Sequence, residues 1–169
     1  MGLRINNFDE NLFYLNDLKF IKFPEQNGAV PMILSSYYTD WPFDDDCNNN
    51  FAKSGILQDL QRNLLSRIEA AIGADNLVEF ETDLTALDGD DTYGVVKSKI
   101  SLPTYDFYFK HKDIFRKCDS YFWWTATPID TIGGGVRCID PHGDGYDRPC
   151  HWLDGVRPII MVKASVFNR

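Results

Sequence analysis

The sequence predicts an α+β fold, a mostly antiparallel sheet carrying two helices. Three observations predict it. Residues 18–23 alternate apolar and charged side chains, as a half-buried strand does. Residues 54–72 repeat apolar side chains every three or four positions, as a helix with one buried face does. From residue 121 onward the chain holds only strand-like blocks and tight turns, so helices belong to its first two thirds. At 169 residues and 44 % apolar, one domain spanning 1–169 is expected, large enough to bury a core.

Element by element, residues 18–23 (Leu-Lys-Phe-Ile-Lys-Phe) form a strand, and 30–35 its partner across a turn at Glu25-Gln26-Asn27-Gly28. A polar and aromatic loop, 37–50, carries Asp44-Asp45-Asp46. Lacking the spaced acceptor set of a cation loop, these carboxylates read as a solvated acidic loop. In the long helix Leu57, Leu60, Leu64, Ile68 and Ala71 share one face, with Ser54 as N-cap and Gly73 as C-cap. Strands at 77–84 and 95–101 flank a Gly/Asp loop at 88–94. Thr104 caps a short helix, 104–112, whose buried side is assigned to Tyr105, Tyr108 and Phe109. Asp140-Pro141-His142-Gly143-Asp144-Gly145 is a strong turn, joining strands at 136–139 and 146–151. Most of Phe20, Phe23, Phe80, Tyr108, Phe109, Trp123 and Trp124 are expected in the core.

Composition excludes several classes. A formal net charge of -8 opposes a nucleic-acid groove, which needs clustered Lys and Arg. It suits solubility, or a basic partner. No segment approaches the roughly 20 apolar residues of a membrane span, so no membrane partner is expected. The opening decapeptide has no apolar core and no small-residue cleavage site, which predicts a cytoplasmic product. Cys47, Cys118, Cys138 and Cys150 are too few and too spread for a secreted disulfide framework. They are expected as reduced thiols, with Cys138–Cys150 the one pair to check.

Two blocks carry a resemblance: Trp123-Trp124-Thr125-Ala126-Thr127-Pro128, and Gly155-Val156-Arg157-Pro158 with the trailing Lys163-Ala164-Ser165-Val166-Phe167. With the aromatic acidic loop, the Tyr93-Gly94 loop and the Leu102-Pro103-Thr104 helix start, they resemble a family of small uncharacterised proteins. That family is common in Firmicutes and in their phages and prophages. It is similar to the C-type-lectin-like fold of formylglycine-generating-enzyme-like domains and retroelement variable proteins. The resemblance covers about 17–167. It implies a closing strand at 159–162 paired with 18–23, and structural roles for Trp123, Trp124 and Arg157. Arg157 is expected as a buried staple, its guanidinium against Trp123 or Trp124 and a backbone carbonyl.

Chemistry-bearing constellations are sparse. Cys138, His142, Cys150 and His151 are zinc-type ligands, but their spacing matches no familiar pair. Cys150 and His151, adjacent on a strand, are expected to face opposite ways. Asp140, Asp144, Gly145 and Asp147 echo a calcium loop, yet His142 and Trp152 stand where oxygen ligands belong. A plain hairpin turn is the expectation, with calcium the alternative. Cysteine catalysis needs Cys138 or Cys150 beside His142 or His151 with an orienting carboxylate, and no local signature surrounds them. Gly133-Gly134-Gly135 precedes a strand and opens no helix, so it is no phosphate loop. No cofactor, bound transition metal or catalytic triad is expected.

The expected function is a noncatalytic binding module, phage- or prophage-encoded, recognising a host protein or cell-surface glycan through the C-terminal hairpin loops. Its candidate binding residues are Asp140, His142, Asp144, Tyr146, Asp147, Arg148, His151 and Trp152. Aromatics with polar neighbours are the anchors such patches use. The alternatives are an acidic intracellular inhibitor of a host defence protein, acting in the host cytoplasm rather than on the virion, and a Cys/His or metal-dependent enzyme.

Overall fold

The computed structural model describes residues 11–115 and 121–168. The fold is mixed α+β, with mostly antiparallel sheets and one main helix. One five-stranded sheet runs in the order β1 (Leu12–Leu15), β2 (Leu18–Lys22), β3 (Ala29–Leu34), β12 (Ile159–Lys163), β7 (Ile100–Ser101). A second runs β10 (Gly145–Pro149), β9 (Gly135–Ile139), β8 (Trp123–Pro128), β11 (Leu153–Gly155), β4 (Asp40–Pro42). A ribbon pairs β5 (Phe80–Asp83) with β6 (Val95–Ser98). Strand β11 lies parallel to β8 and antiparallel to β4.

Local chemistry explains the elements. The β2–β3 hairpin closes through Asn27 and Gly28, both at positive φ (49° and 81°), and Gln26 and Ala29 exchange backbone hydrogen bonds across it. Two consecutive positive φ values are what a tight hairpin turn needs. The long helix is built from Gly55–Asp59, a π turn at Leu60–Leu64, and Leu65–Ile72. Ser54 caps it, its hydroxyl accepting from Leu57 N–H at 3.2 Å and donating to the Phe51 carbonyl at 2.8 Å. Asp44 adds a second cap, one carboxylate oxygen accepting from Gly55 N–H at 3.0 Å. Ile56, Leu57, Leu60, Leu64, Ile68 and Ile72 form its buried stripe. Thr104 caps Tyr105–Lys110 in the same way, accepting from Phe107 N–H at 3.1 Å.

Every residue of β3 is buried, because it is covered on both faces. Val30, Met32 and Leu34 enter the main core with Phe20, Leu60, Leu64, Ile68, Ile160 and Val162. Ile33 turns to a smaller core with Ile21, Phe23, Tyr108, Phe115, Trp123 and Ile139. The tryptophan pair follows the same alternation. Trp124 is fully buried in the main core, and Trp123 stacks on Phe115 in the other with ring centroids 5.5 Å apart.

Arg157 is 2 % exposed. Its Nε donates to the Leu34 carbonyl at 3.1 Å and Nη2 to the Ser35 carbonyl at 3.3 Å, and the guanidinium lies 4.9 Å from the Trp123 ring. The expected staple is therefore present, on Trp123 rather than Trp124.

Four expectations need correction. The closing strand β12 shares a sheet with β2 but pairs with β3 and β7, so 18–23 and 159–162 are not neighbours. Strand β3, apolar on both faces, takes the central place instead. Phe109 is exposed and Phe107 packs against the smaller core in its stead. Phe80 is only half-buried, on the outer ribbon. The disulfide joins Cys47 to Cys150, leaving Cys138 free and buried. Cys118 lies outside the described residues.

Replacing Arg157 by Ala is expected to cost about 2–4 kcal/mol, since hydrogen bonds from a buried charged donor are worth roughly 1.5–3 kcal/mol each. Arg157→Lys should recover only part of that loss, because an ammonium cannot match the planar fork and ring stacking. Urea denaturation of the three proteins checks this. An Ala variant as stable as the wild type would show that Arg157 staples nothing.

Candidate functional site

The sequence-predicted residues divide into three places. At the hairpin tip, Asp140 is buried, and one of its carboxylate oxygens accepts from the N–H groups of His142 and Asp144, both at 2.8 Å. It organises the turn and is not a surface contact, which corrects its assignment as a binding residue. His142 and Asp144 are exposed there. The tip rests on the short helix, where the Tyr108 hydroxyl donates to the Gly143 carbonyl at 2.5 Å.

Along β10 the side chains alternate. Asp147 pairs with Arg137 at 2.7 Å, and Arg137 lies 4.7 Å over the Tyr105 ring. Asp147 thus lies on the face toward the short helix and stays exposed there. Tyr146 and Arg148 point the other way. Arg148 is held between two rings, 4.0 Å from Phe122 and 5.0 Å from Trp152, with its Nε 3.6 Å from Asp154. Tyr146 meets Phe122 edge-on at 6.3 Å.

This group continues across β11 to β4. Asp154 is the register partner of Trp41. Tyr37 and Tyr121 pack at 4.8 Å, with Asp40 beside the Tyr121 hydroxyl raising the pKa of that phenol. Tyr37, Trp41, Tyr121, Tyr146 (52 % exposed), Trp152 (48 %) and Leu153 are all exposed large apolar side chains, on or beside β4, β8, β10 and β11 of the second sheet. Phe122, Asp154, Tyr37, Trp41 and Tyr121 were missed by sequence reasoning. Only their aromatic and acidic character was visible, since the β11–β4 pairing that gathers them joins residues over a hundred positions apart.

Asp154 is the unusual charge of the region. It is 2 % exposed, and its Oδ2 has no hydrogen-bond partner. Burial raises its pKa to about 6; Arg148 opposes that rise and Asp40 adds to it. Cys138, two strands away, is pushed up to about 12, chiefly by burial and secondarily by Asp154.

The third place is the disulfide. Cys150 and His151 follow the end of β10, in a turn rather than on a strand, so they need not face opposite ways. Cys150 bonds Cys47, and His151 Nδ1 lies 3.7 Å from the Cys47 sulfur. Gly134 is obligatory beside them, because a Cβ there would sit 2.6 Å from the Cys47 sulfur. Loop 129–135 is pinned from below. Asn49 Nδ2 donates to the Asp130 and Gly135 carbonyls at 2.8 and 3.0 Å, and the Tyr93 hydroxyl donates to Asn49 and to the Thr131 carbonyl. In the acidic loop Asp44 is buried as a cap, while Asp45 and Asp46 are exposed.

Among the described residues no three His, Cys, Asp or Glu side chains converge as a metal cage, and no helix is long and apolar enough to cross a membrane. Compared with known protein families, with characterised proteins and with solved structures, the chain matches none.

The raised Asp154 pKa carries a pH signature. Below about pH 4 the carboxyl is neutral in both folded and unfolded chains. From there to about pH 6 it ionises when unfolded but stays protonated when folded, so its stability contribution is lost as pH rises through that window. The loss is on the order of 3 kcal/mol at about 1.36 kcal/mol per unit. Asp154→Asn should therefore be no more stable than wild type near pH 4 and clearly more stable near pH 7, by melting temperature in matched buffers. A stability difference that does not change with pH would refute a raised pKa.

Proposed function

We propose that this protein is a noncatalytic binding module of C-type-lectin-like architecture that takes a protein partner through the aromatic rim of Tyr37, Trp41, Tyr121, Tyr146 and Trp152. One observation carries the reading: six large apolar side chains are left in solvent on and beside the strands of the second sheet, with Tyr37 against Tyr121 and Arg148 between Phe122 and Trp152. Solvated apolar surface gathered in this way marks an interaction site. Tyr and Trp make large contacts at low cost in side-chain entropy.

Charge favours a partner with basic side chains. Asp40, beside Tyr121, is exposed, as are Asp45, Asp46 and Asp144, and the chain as a whole carries -8. Arg148, the cation inside the patch, is already held by Phe122, Trp152 and Asp154. Such a surface steers a cationic partner and repels acidic ones. In a phage or prophage setting, that partner is a host protein whose basic site this surface occupies.

The lectin-like reading rests on the resemblance already described, on the last described strand lying in the same sheet as the first, and on the connections 129–134, 140–144 and 150–152 between strands of the second sheet.

The test combines Tyr146→Ala with Trp152→Ala and measures capture of host proteins alongside binding to a glycan array. The double variant is expected to lose at least tenfold in affinity for a partner retained by the wild type, while its melting temperature moves by no more than a few degrees. Charge reversal at Asp45 and Asp46 should weaken capture further, and added salt should weaken it too. Retention of glycans instead of proteins, lost in the same variant, would place the site correctly but name the wrong partner class. Full-strength capture by a folded double variant would refute the site.

A further inference from the structure

Cys47 and Cys150 meet across 103 positions of sequence with their Cα atoms 5.0 Å apart, and their sulfurs stand in unlike surroundings. Cys150 is fully buried, its N–H donating to the Gly134 carbonyl at 2.9 Å and its carbonyl accepting from Asp44 N–H at 3.2 Å. Cys47 is only half-buried, on the loop after β4. Its sulfur lies beside an exposed histidine, 3.7 Å from His151 Nδ1. It also opens onto a depression of about 460 Å³ lined by Cys47, Ile129, Asp130, Gly134, Arg148 and Pro149, among others. A purely structural crosslink needs neither an imidazole on its exposed sulfur nor an open cavity against it.

We propose that Cys47 and Cys150 form a thiol–disulfide exchange centre for low-molecular-weight disulfides. Cys47 is the attacking sulfur, His151 the base that holds it as thiolate, and Cys150 the resolving sulfur. In the reduced protein the Cys47 proton passes to His151, and the thiolate attacks one sulfur of the incoming disulfide. That S–S bond breaks, and the departing thiolate takes up a proton. Cys150 then loses its proton to solvent and attacks the Cys47 sulfur, releasing the second substrate thiol. Two electrons pass from the protein dithiol to the substrate disulfide, giving two thiols and the Cys47–Cys150 bond. A thiol reductant runs the same steps backwards.

The charges facing Cys47 favour this division of labour. His151, 3.7 Å from the Cys47 sulfur, stabilises a thiolate there as a cationic neighbour does, while Arg148 lines the depression but is held by Phe122, Trp152 and Asp154. The opposing carboxylates of the depression are engaged elsewhere: Asp130 accepts from Ile132 and Gly133 N–H, and Asp147 pairs with Arg137. Asp44, on the cysteine's own loop, accepts from Asp46, Asn48 and Gly55 N–H, while Asp45 and Asp46 are solvated. Cys138 is fully buried and protonated, and takes no part.

Reduced protein in a Cys118→Ser background, treated with glutathione disulfide and followed by intact mass and peptide mapping, tests this. Wild-type protein should end as the Cys47–Cys150 disulfide, and Cys150→Ser should stop as a mixed disulfide on Cys47. Cys47→Ser should react at least tenfold more slowly. His151→Ala should slow alkylation of Cys47 by iodoacetamide about tenfold near neutral pH and move its pH midpoint up by about one unit. Should Cys150→Ser fail to fold, limiting iodoacetamide on the otherwise unaltered reduced protein reads the same order, Cys47 before Cys150 and Cys138. No glutathione adduct, labelling spread evenly over the three cysteines, or a midpoint unmoved by His151→Ala would each overturn the proposal.

Discussion

The structure depends on one double crossing between its two sheets. The link 35–39 carries the chain from β3 to β4, and the link 156–158 carries it from β11 back to β12. The two links run side by side. Tyr38 N–H donates to the Val156 carbonyl at 2.6 Å, Val156 N–H to the Thr39 carbonyl at 2.9 Å, and Leu34 N–H to the Pro158 carbonyl at 3.0 Å. Arg157 sits inside this crossing and bonds the far strand of the pair at Leu34 and Ser35. A charge so deeply buried is tolerated only where it is fully engaged. The same residue that satisfies the backbone at the crossing also lies against Trp123, so both sheets and the smaller core are registered by one side chain.

With the crossing fixed, the far end of the second sheet is free to present loops. Loop 129–135 is tied down by Asn49 and Tyr93, the acidic loop by Asp44, and the Trp152 turn by Cys150. Each tie comes from a different part of the chain, and each removes freedom that a ligand would otherwise have to remove. The exposed aromatics are therefore held on short, well-anchored segments, and a surface of this kind is preorganised.

The legible part of the sequence was the local part. Helix limits at Ser54 and Gly73, the Asn27-Gly28 turn and the hairpin centred on 140–145 follow from capping and turn chemistry within a few residues, and the structure has them. Strand neighbours were not legible, because apolar β3 and the alternating segment 18–23 are both acceptable partners for an apolar last strand. Only the burial of β3 on both faces decides between them. The disulfide was misassigned for a related reason. Cys138 and Cys150 lie across a predicted hairpin, but Cys138 stands opposite Tyr146 and Cys150 beside Gly134, while the acidic loop delivers Cys47 to Cys150 from 103 positions away. In the candidate site, Tyr146, Arg148 and Trp152 were found because they are close in sequence; Asp154 looked ordinary because its burial belongs to the fold rather than to its neighbours.

Strand β12 occupies an inner position of the first sheet, between β3 and β7, yet it follows every other described strand in the chain. Until β12 docks, β3 exposes an apolar edge without its partner, and the main core lacks Ile160 and Val162. An unpaired edge of that kind is a template for pairing with another chain. The first sheet is thus completed only when segments distant in sequence meet, and a chain without β12 loses an inner strand of that sheet.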